Sequence, residues 1–380
     1  MKISILEKNF KRGLGLVGNI TSKNINLPIL NNVLIKAEKG MITLVSTNLE
    51  IGVTHSIRGK IEKEGGFTVD AKILTNYIGL LPNEKVDLEQ KDNHIAVACG
   101  KYKTKINGQP SDDFPLIPSV EKNTYYAIAS AEELKSALSQ VIFAASGNES
   151  RLELSGVFFT FNREKLTLAA TDSYRLAEKK IIVKSNADKD IEDRKIIVPA
   201  RTVQEVIRIL SNIGEEDEML DGEKDVKCYI SENQILFKFG STELVSRLIE
   251  GQFPDYTQII PKAKKTEILI SRQELLRATK TSSIFSRSEV NDINMDIPEG
   301  KNKIIISSCS DYIGENLAEI EAATKGLDNA LVLNYRYLLD GLNNIKSDMV
   351  RLEVVDNNSP CLLKPEGDPD YLYIIMPIKR

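Results

Sequence analysis

Residues 33–48, VLIKAEKGMITLVSTN, return 124 positions later as residues 157–172, VFFTFNREKLTLAATD, with no gap in the alignment. Each stretch holds two runs of β-branched and apolar residues joined by a short polar turn, which predicts a β-hairpin. A weaker third copy, INMDIPEGKNKIIISSCSD, occupies residues 293–311. Repetition at domain spacing predicts three copies of one unit. It points to a molecule that acts through shape and symmetry rather than through one reactive pocket.

A chain of 380 residues accommodates three such units of roughly 125 residues, each long enough to bury its own core. The expected domains are residues 1–124, 125–256 and 257–380. A hydrophobic fraction of 42% with 27% charged residues places the chain among ordered globular proteins and argues against disorder. The opening MKISILEKNFKRG lacks the apolar stretch and cleavage site of a signal peptide, and no run is long enough to span a bilayer. Cys99, Cys228, Cys309 and Cys361 lie far apart, so they read as small core residues in a reducing cytoplasm, not as a disulfide scaffold or metal site. The expected location is therefore cytoplasmic, with no membrane partner. With a net charge of −4, any contact with a polyanion must be local.

Each copy opens with a strand and an amphipathic helix. Phe10/Leu14/Val17, Leu134/Leu138/Val141 and, more weakly, Leu275/Thr279/Ser282 each occupy one helical face. Capping boxes begin the second and third of these helices, at Ser130 with Glu133 and at Ser271 with Glu274; the first lacks one. A second helix follows each hairpin, with stripes Leu74/Ile78/Leu81, Val203/Ile207/Leu210 and Leu338/Leu342/Ile345. Strand-like runs surround them at residues 67–69, 196–198, 234–239 and 371–375. The fold class is thus α+β, each domain packing two helices on mostly antiparallel strands.

The faces opposite those stripes carry cations. Lys72, Arg201 and Arg336 each lie about 160° around the helix from Leu74, Val203 and Leu338. On the first helices, Lys8 and Arg12 serve the first copy and Arg277 and Lys280 the third, while the second offers Ser136, Ser139 and Glu132. Single surface cations merely solvate a helix. Recurrence at equivalent positions in an acidic chain suggests a lining that meets phosphates without reading bases.

Catalytic readings fare poorly. Gly13-Leu14-Gly15-Leu16-Val17-Gly18 matches G-x-G-x-x-G, but it falls inside the first helix stripe instead of between a strand and a helix, and Glu38 about 20 residues on lies in a hairpin turn. Only His55 and His94 are present, without metal spacing, and no P-loop, H-E-x-x-H or G-x-S-x-G occurs. Asp112 and Asp113 read as a solvated turn, and the acidic run 215–225 as an exposed loop. No catalytic residue, metal or cofactor is expected. A protein scaffold is the competing non-enzymatic reading.

Four motifs in order, NLPILNN (26–32), AATDSYRL (169–176), GQFPDY (251–256) and YIIMPIKR (373–380), together with the repeats, resemble the bacterial DNA polymerase III beta subunit, the replicative sliding clamp, over essentially the full chain. The resemblance implies crescents of three DNA-clamp domains that dimerise head to tail into a ring around double-stranded DNA, without sequence specificity or catalysis. It implies a processivity role in DNA replication. The implied partners are a second copy, the polymerase III alpha subunit, the clamp loader delta subunit, and other clamp-motif polymerases and repair proteins. Ile284 and Phe285 match positions at the dimer contact, and Lys103 and Ile106 match the opposing edge. A peptide-binding cleft between domains two and three would be walled by Leu154, Thr171, Ser173, Tyr174, Arg175, Leu176, Pro254, Ile259, Val290, Asn334, Tyr337, Met376, Pro377 and Ile378. Departures from the family pattern are Ser173 and Tyr174 for glycine and histidine, Gln258 and Val290 for arginine and phenylalanine, and Arg380 for an apolar end. Near DNA, Asn24 replaces an arginine beside Lys23, and Leu152 and Glu153 replace tyrosines beside Arg151.

Overall fold

The computed structural model describes residues 1–21, 27–118, 125–148, 150–186, 193–212, 224–287 and 289–379. Lys23, Asn24, Arg380 and most of the acidic run 215–225 lie outside the described residues.

Six helices fall among the described residues: α1 (Glu7–Val17), α2 (Ala71–Ile78), α3 (Ala131–Ile142), α4 (Ala200–Asn212), α5 (Arg272–Ser283) and α6 (Tyr335–Asn344). Each third of the chain runs strand, helix, three-strand meander, two further strands, helix, three-strand meander. The ladders repeat as well. The strand leading into each odd-numbered helix (Lys2–Leu6, Tyr125–Ser130, Thr266–Ser271) pairs with the first strand after the next helix (Lys85–Lys91, Asp225–Ile230, Met349–Val354). Strand pairings among the described residues are antiparallel, so short turns can connect neighbours.

Compactness divides the chain differently from repetition. One unit comprises Met1–Glu132, Val183–Lys189 and Gln204–Leu248; the other comprises Glu133–Ile182, Asp190–Val203 and Ile249–Arg380. In the first, Ile51–Ile57 pairs with Thr242–Arg247, merging strands of the first and second copies into a fourteen-stranded sheet. In the second, Arg175–Ile182 pairs with Tyr371–Ile375, merging strands of the second and third copies into a nine-stranded sheet. That unit also holds a separate four-stranded sheet. The middle copy therefore contributes to both units.

The odd-numbered helices bury the expected faces. Phe10, Leu14, Val17, Leu134, Leu138, Val141 and Leu275 are fully buried, each large apolar side chain contributing roughly 1.5–3 kcal/mol. Gly13 and Gly15 are ordinary α1 residues, so no phosphate-binding turn exists there. A Cβ on Gly13 would sit 2.9 Å from Leu44 Cδ1 and 3.1 Å from His55 Cδ2, so this glycine lets α1 lie close on its sheet. The Ser271 hydroxyl accepts from the Glu274 N–H, as its capping box predicts, and α1 has no side-chain cap.

Three expectations need correction. Helix α2 stops at Ile78, so Leu81 is buried beyond it; Gly79 and Pro82 end the helix early. On α4, Ile207 is only half-buried, and Val206 and Ile209 share the core face with Val203 and Leu210. Cys99, Cys228 and Cys361 are buried, but Cys309 is exposed. On strand Lys303–Ser310 the even-numbered Ile304, Ile306 and Ser308 point inward, which turns Cys309 to the other face.

Candidate functional site

The hairpin repeat extends to atomic detail in the turn that follows it. Thr47 Oγ1 donates to Ile51 O (2.9 Å) and accepts from Leu49 N (3.0 Å), while Asn48 Oδ1 accepts from Ile51 N (2.8 Å). At an offset of 124, Thr171 Oγ1 donates to Arg175 O (2.6 Å) and accepts from Ser173 N (3.1 Å), and Asp172 Oδ1 accepts from Arg175 N (3.0 Å). Leu49 and Ser173 share a positive φ, 78° and 80°. That left-handed conformation costs an L-residue roughly 1–2 kcal/mol, which explains why glycine suits the position.

The second of these turns, within the unit that holds residues 133–182 and 249–380, anchors a cluster. The Arg175 guanidinium pairs with Asp172 (2.9 Å) and with Asp340 of α6, and it stacks 4.7 Å from the Tyr337 ring centroid. Burial alone would lower its pKa, yet Tyr373, Asp340 and Asp172 hold it above the ordinary arginine value. Tyr373 Oη donates to Tyr337 O (2.9 Å), and Met376 N donates to Tyr174 O (2.8 Å). The C-terminal segment thus runs alongside the turn, and Ile378 N donates to Val332 O (2.8 Å) beyond it.

The fourteen predicted cleft residues separate into layers. Leu154 and Leu176 are core residues packed with Phe253 and Tyr256, and Thr171 and Pro377 are also buried. Arg175, Asn334, Tyr337, Met376 and Ile378 are half-buried; Ser173, Tyr174, Pro254, Ile259 and Val290 are exposed. Asn334 caps α6 through the Arg336 N–H (2.9 Å). Those two leucines support a surface that the exposed and half-buried residues present. Asp172, Asp340, Phe143 and Tyr373 organise the cluster and were not singled out by sequence; only Asp172 and Tyr373 lay within a quoted motif.

Lys72, Arg201 and Arg336 are each the second residue of α2, α4 and α6, and all are exposed. None of these helices has an acidic residue in its first turn. A cation at a helix N-terminus opposes the macrodipole at a cost of roughly 0.3–1 kcal/mol, so its threefold recurrence does not serve stability. Caps already take up an N–H at two of these ends, Asp70 from Ile73 (2.8 Å) and Asn334 from Arg336. Lys8, Arg277 and Lys280 are also exposed. Arg151, also exposed, pairs with Glu153 (3.0 Å) and donates to Ser173 Oγ (3.0 Å). Arg12 is half-buried and lines a cavity.

Among the described residues, two of the strands with an unpaired edge carry opposite charge. Along Tyr102–Pro110, residues 102–107 pair with His94–Cys99 on one side only among the described residues. Lys103 and Lys105 are exposed there, whereas Ile106 is 7% exposed and belongs to the core. A contact at Ile106 is therefore confined to its backbone edge. In the other unit, Gly314–Glu321 ends the four-stranded sheet and exposes Glu315, Glu319 and Glu321. Nearby, a Cβ on Gly314 would lie 3.8 Å from the Phe285 ring, and Ile284 is 63% exposed.

His55 is buried with Nδ1 2.8 Å from Thr242 Oγ1, and Asp112 and Asp113 lie in an exposed 3-10 turn. No group of three or more metal-ligating side chains occurs among the described residues. No described helix is long and apolar enough to cross a membrane.

Three family models match in chain order: the DNA polymerase III beta subunit N-terminal domain over residues 1–118, its central domain over 129–255 and its C-terminal domain over 257–379. A protein from Synechococcus elongatus named beta sliding clamp is 27% identical over 382 residues, covering 100% of this chain and 99% of that one. The crystal structure of the DNA polymerase sliding clamp from Bacillus subtilis superposes with a TM-score of 0.91 at 26% identity, covering 100% of this chain and 99% of its own. A putative DNA polymerase III beta subunit from Eubacterium rectale gives 0.90 at 28% identity with full coverage of both chains.

Proposed function

The chain belongs to the DNA polymerase III beta subunit family, and on that basis we propose that it is a sliding clamp whose two copies close head to tail around duplex DNA and hold the polymerase there. The role is non-catalytic. Three domains, at residues 1–124, 125–256 and 257–380, would form each crescent. The observation that carries the DNA contact is the exposed cation at the second position of α2, α4 and α6. It opposes the helix dipole, yet it presents exposed positive charge at the same place in each repeat, which suits phosphate oxygens.

Phosphate contacts alone give dissociation constants of about 10⁻⁴–10⁻⁶ M at physiological salt, so a clamp that depended on them would leave quickly. A closed ring cannot leave sideways, but it can slide, because equivalent phosphates recur and no base contact fixes a register. Closure is supported by the two edges: the lysine-bearing edge at 102–107 complements the glutamate-bearing edge at 314–321 of a second copy, and joining them would extend both sheets. A heterologous contact of this kind closes into a ring when its rotation permits.

The surface around Tyr174, Arg175, Tyr337, Met376 and Ile378 would receive short apolar peptides from the polymerase alpha subunit, the clamp loader delta subunit, and other polymerases and repair proteins. Tethering keeps a polymerase at high effective concentration beside its primer end. The test is retention on circular DNA: protein loaded onto a circle should stay through a salt wash and run off after linearisation. Retention that survives linearisation and disappears only with salt would refute enclosure.

A further inference from the structure

A second polar site lies in the unit that contains residues 1–132, at a cavity of 390 Å³ bounded by α1, the turn at Gly40, the end of strand Ile51–Ile57 and the turn at Ser241. Its volume falls within the roughly 300–1,000 Å³ range of small-molecule sites. Arg12 lines it from α1, and Arg58, Asn9, His55, Ser56 and Ser241 are the other polar lining residues among those described. Among the described residues no aspartate or glutamate lines it, although the chain has more acidic than basic residues overall. Arg58 is exposed and has no ion-pair partner among the described residues. Likewise the side chains of Asn9, Ser56 and Ser241 make no hydrogen bond among the described residues.

Two guanidiniums around three uncommitted hydrogen-bonding side chains form an array for an oxyanion. Guanidinium geometry matches phosphate oxygens, and hydroxyl and amide groups can take the remaining lone pairs and protons. We infer that this cavity binds a free phosphate anion or phosphate monoester. The site is independent of the proposed peptide surface, which lies in the other unit.

Equilibrium dialysis of the full chain against radiolabelled inorganic phosphate, at constant ionic strength, tests the inference, with a nucleoside 5′-monophosphate as the second probe. Saturable binding of one phosphate per chain is expected, weakened at least about tenfold by Arg58→Gln or Arg12→Gln. Lys85→Gln, which removes an exposed cation elsewhere in the unit, should leave binding unchanged. Arg58→Gln keeps the test usable if Arg12→Gln fails to fold, because Arg58 is exposed. Binding that does not saturate, or that falls equally in Lys85→Gln, would overturn the site. Short duplex DNA should not displace the label; stoichiometric displacement by duplex would overturn the assignment to free phosphate.

Discussion

Arg175 and Asp340, 165 residues apart, form an ion pair that ties the turn after the second hairpin to helix α6. The Tyr337 ring beneath the guanidinium and Asp172 beside it complete the arrangement. Replacing Arg175 with Ala would leave Asp172 without its cation and uncover Tyr337. We expect a destabilisation of about 2–3 kcal/mol by denaturant titration, together with weaker binding of apolar peptides. An unchanged midpoint would remove Arg175 from the organising role.

The two internal α1 glycines should respond oppositely to alanine. Nothing lies within 4 Å of a Cβ on Gly15, so Gly15→Ala should gain about 1 kcal/mol of helix propensity. A Cβ on Gly13 meets Leu44 at 2.9 Å, so Gly13→Ala should lose about 1–3 kcal/mol through overpacking. Thermal melts of both variants decide it, and a stabilised Gly13→Ala would contradict the close helix–sheet approach.

Converting Lys72, Arg201 and Arg336 to Glu separates function from stability. With an acid in place of a cation beside the positive end of the dipole, the folded state should keep or gain stability, by roughly 0.3–1 kcal/mol per helix. DNA affinity should fall, and the slope of log K against log salt should become shallower by about 0.9 for each phosphate no longer neutralised. A triple variant that binds DNA like the parent would eliminate the lining.

Thiol reactivity should single out one cysteine of four. Burial pushes the Cys228 and Cys361 thiols up to about 12, and burial, then Glu84, raises that of Cys99. Cys309 alone is exposed. A chromogenic disulfide reagent at neutral pH should titrate one thiol rapidly in the native protein and the rest after denaturation. A native chain that releases two or more equivalents at once would contradict this burial pattern.

Opposite charge on the edges at 102–107 and 314–321 makes self-association sensitive to salt and sign. Lys103→Glu with Lys105→Glu should weaken the dimer and raise the proportion of monomer in sedimentation velocity, while Glu315→Lys added to that variant should restore part of the association. Ile284→Asp should weaken it independently. If the doubly reversed edge sediments as the parent does, the strands do not meet.

Much of the architecture was legible along the chain. Alternation marked the hairpins, and the stripes at Phe10/Leu14/Val17 and Leu134/Leu138/Val141 marked the buried helix faces, because burial follows a local period. The recurring Lys72, Arg201 and Arg336 were visible for the same reason. Less legible were positions whose orientation depends on a distant neighbour. Sequence placed Arg151 beside DNA and Ile106 on an edge strand, but not the pairing of Arg151 with Glu153 and Ser173 or the inward turn of the Ile106 side chain. Cys309 turns outward because strand parity sets its side, and cysteine chemistry gives no hint of parity.

Local spacing along the chain was enough to specify three copies of one α+β unit, their helices, and the cation at the head of each second helix. Long-range packing was needed to select Thr242–Arg247 as the neighbour of Ile51–Ile57 and Tyr371–Ile375 as the neighbour of Arg175–Ile182. The meeting of Arg175 with Asp340 was set at the same level. Helix faces and hairpins are written in spacings of two to four residues, whereas a strand's open edge offers the same N–H and C=O groups to any partner, and only the packing of the whole chain selects one.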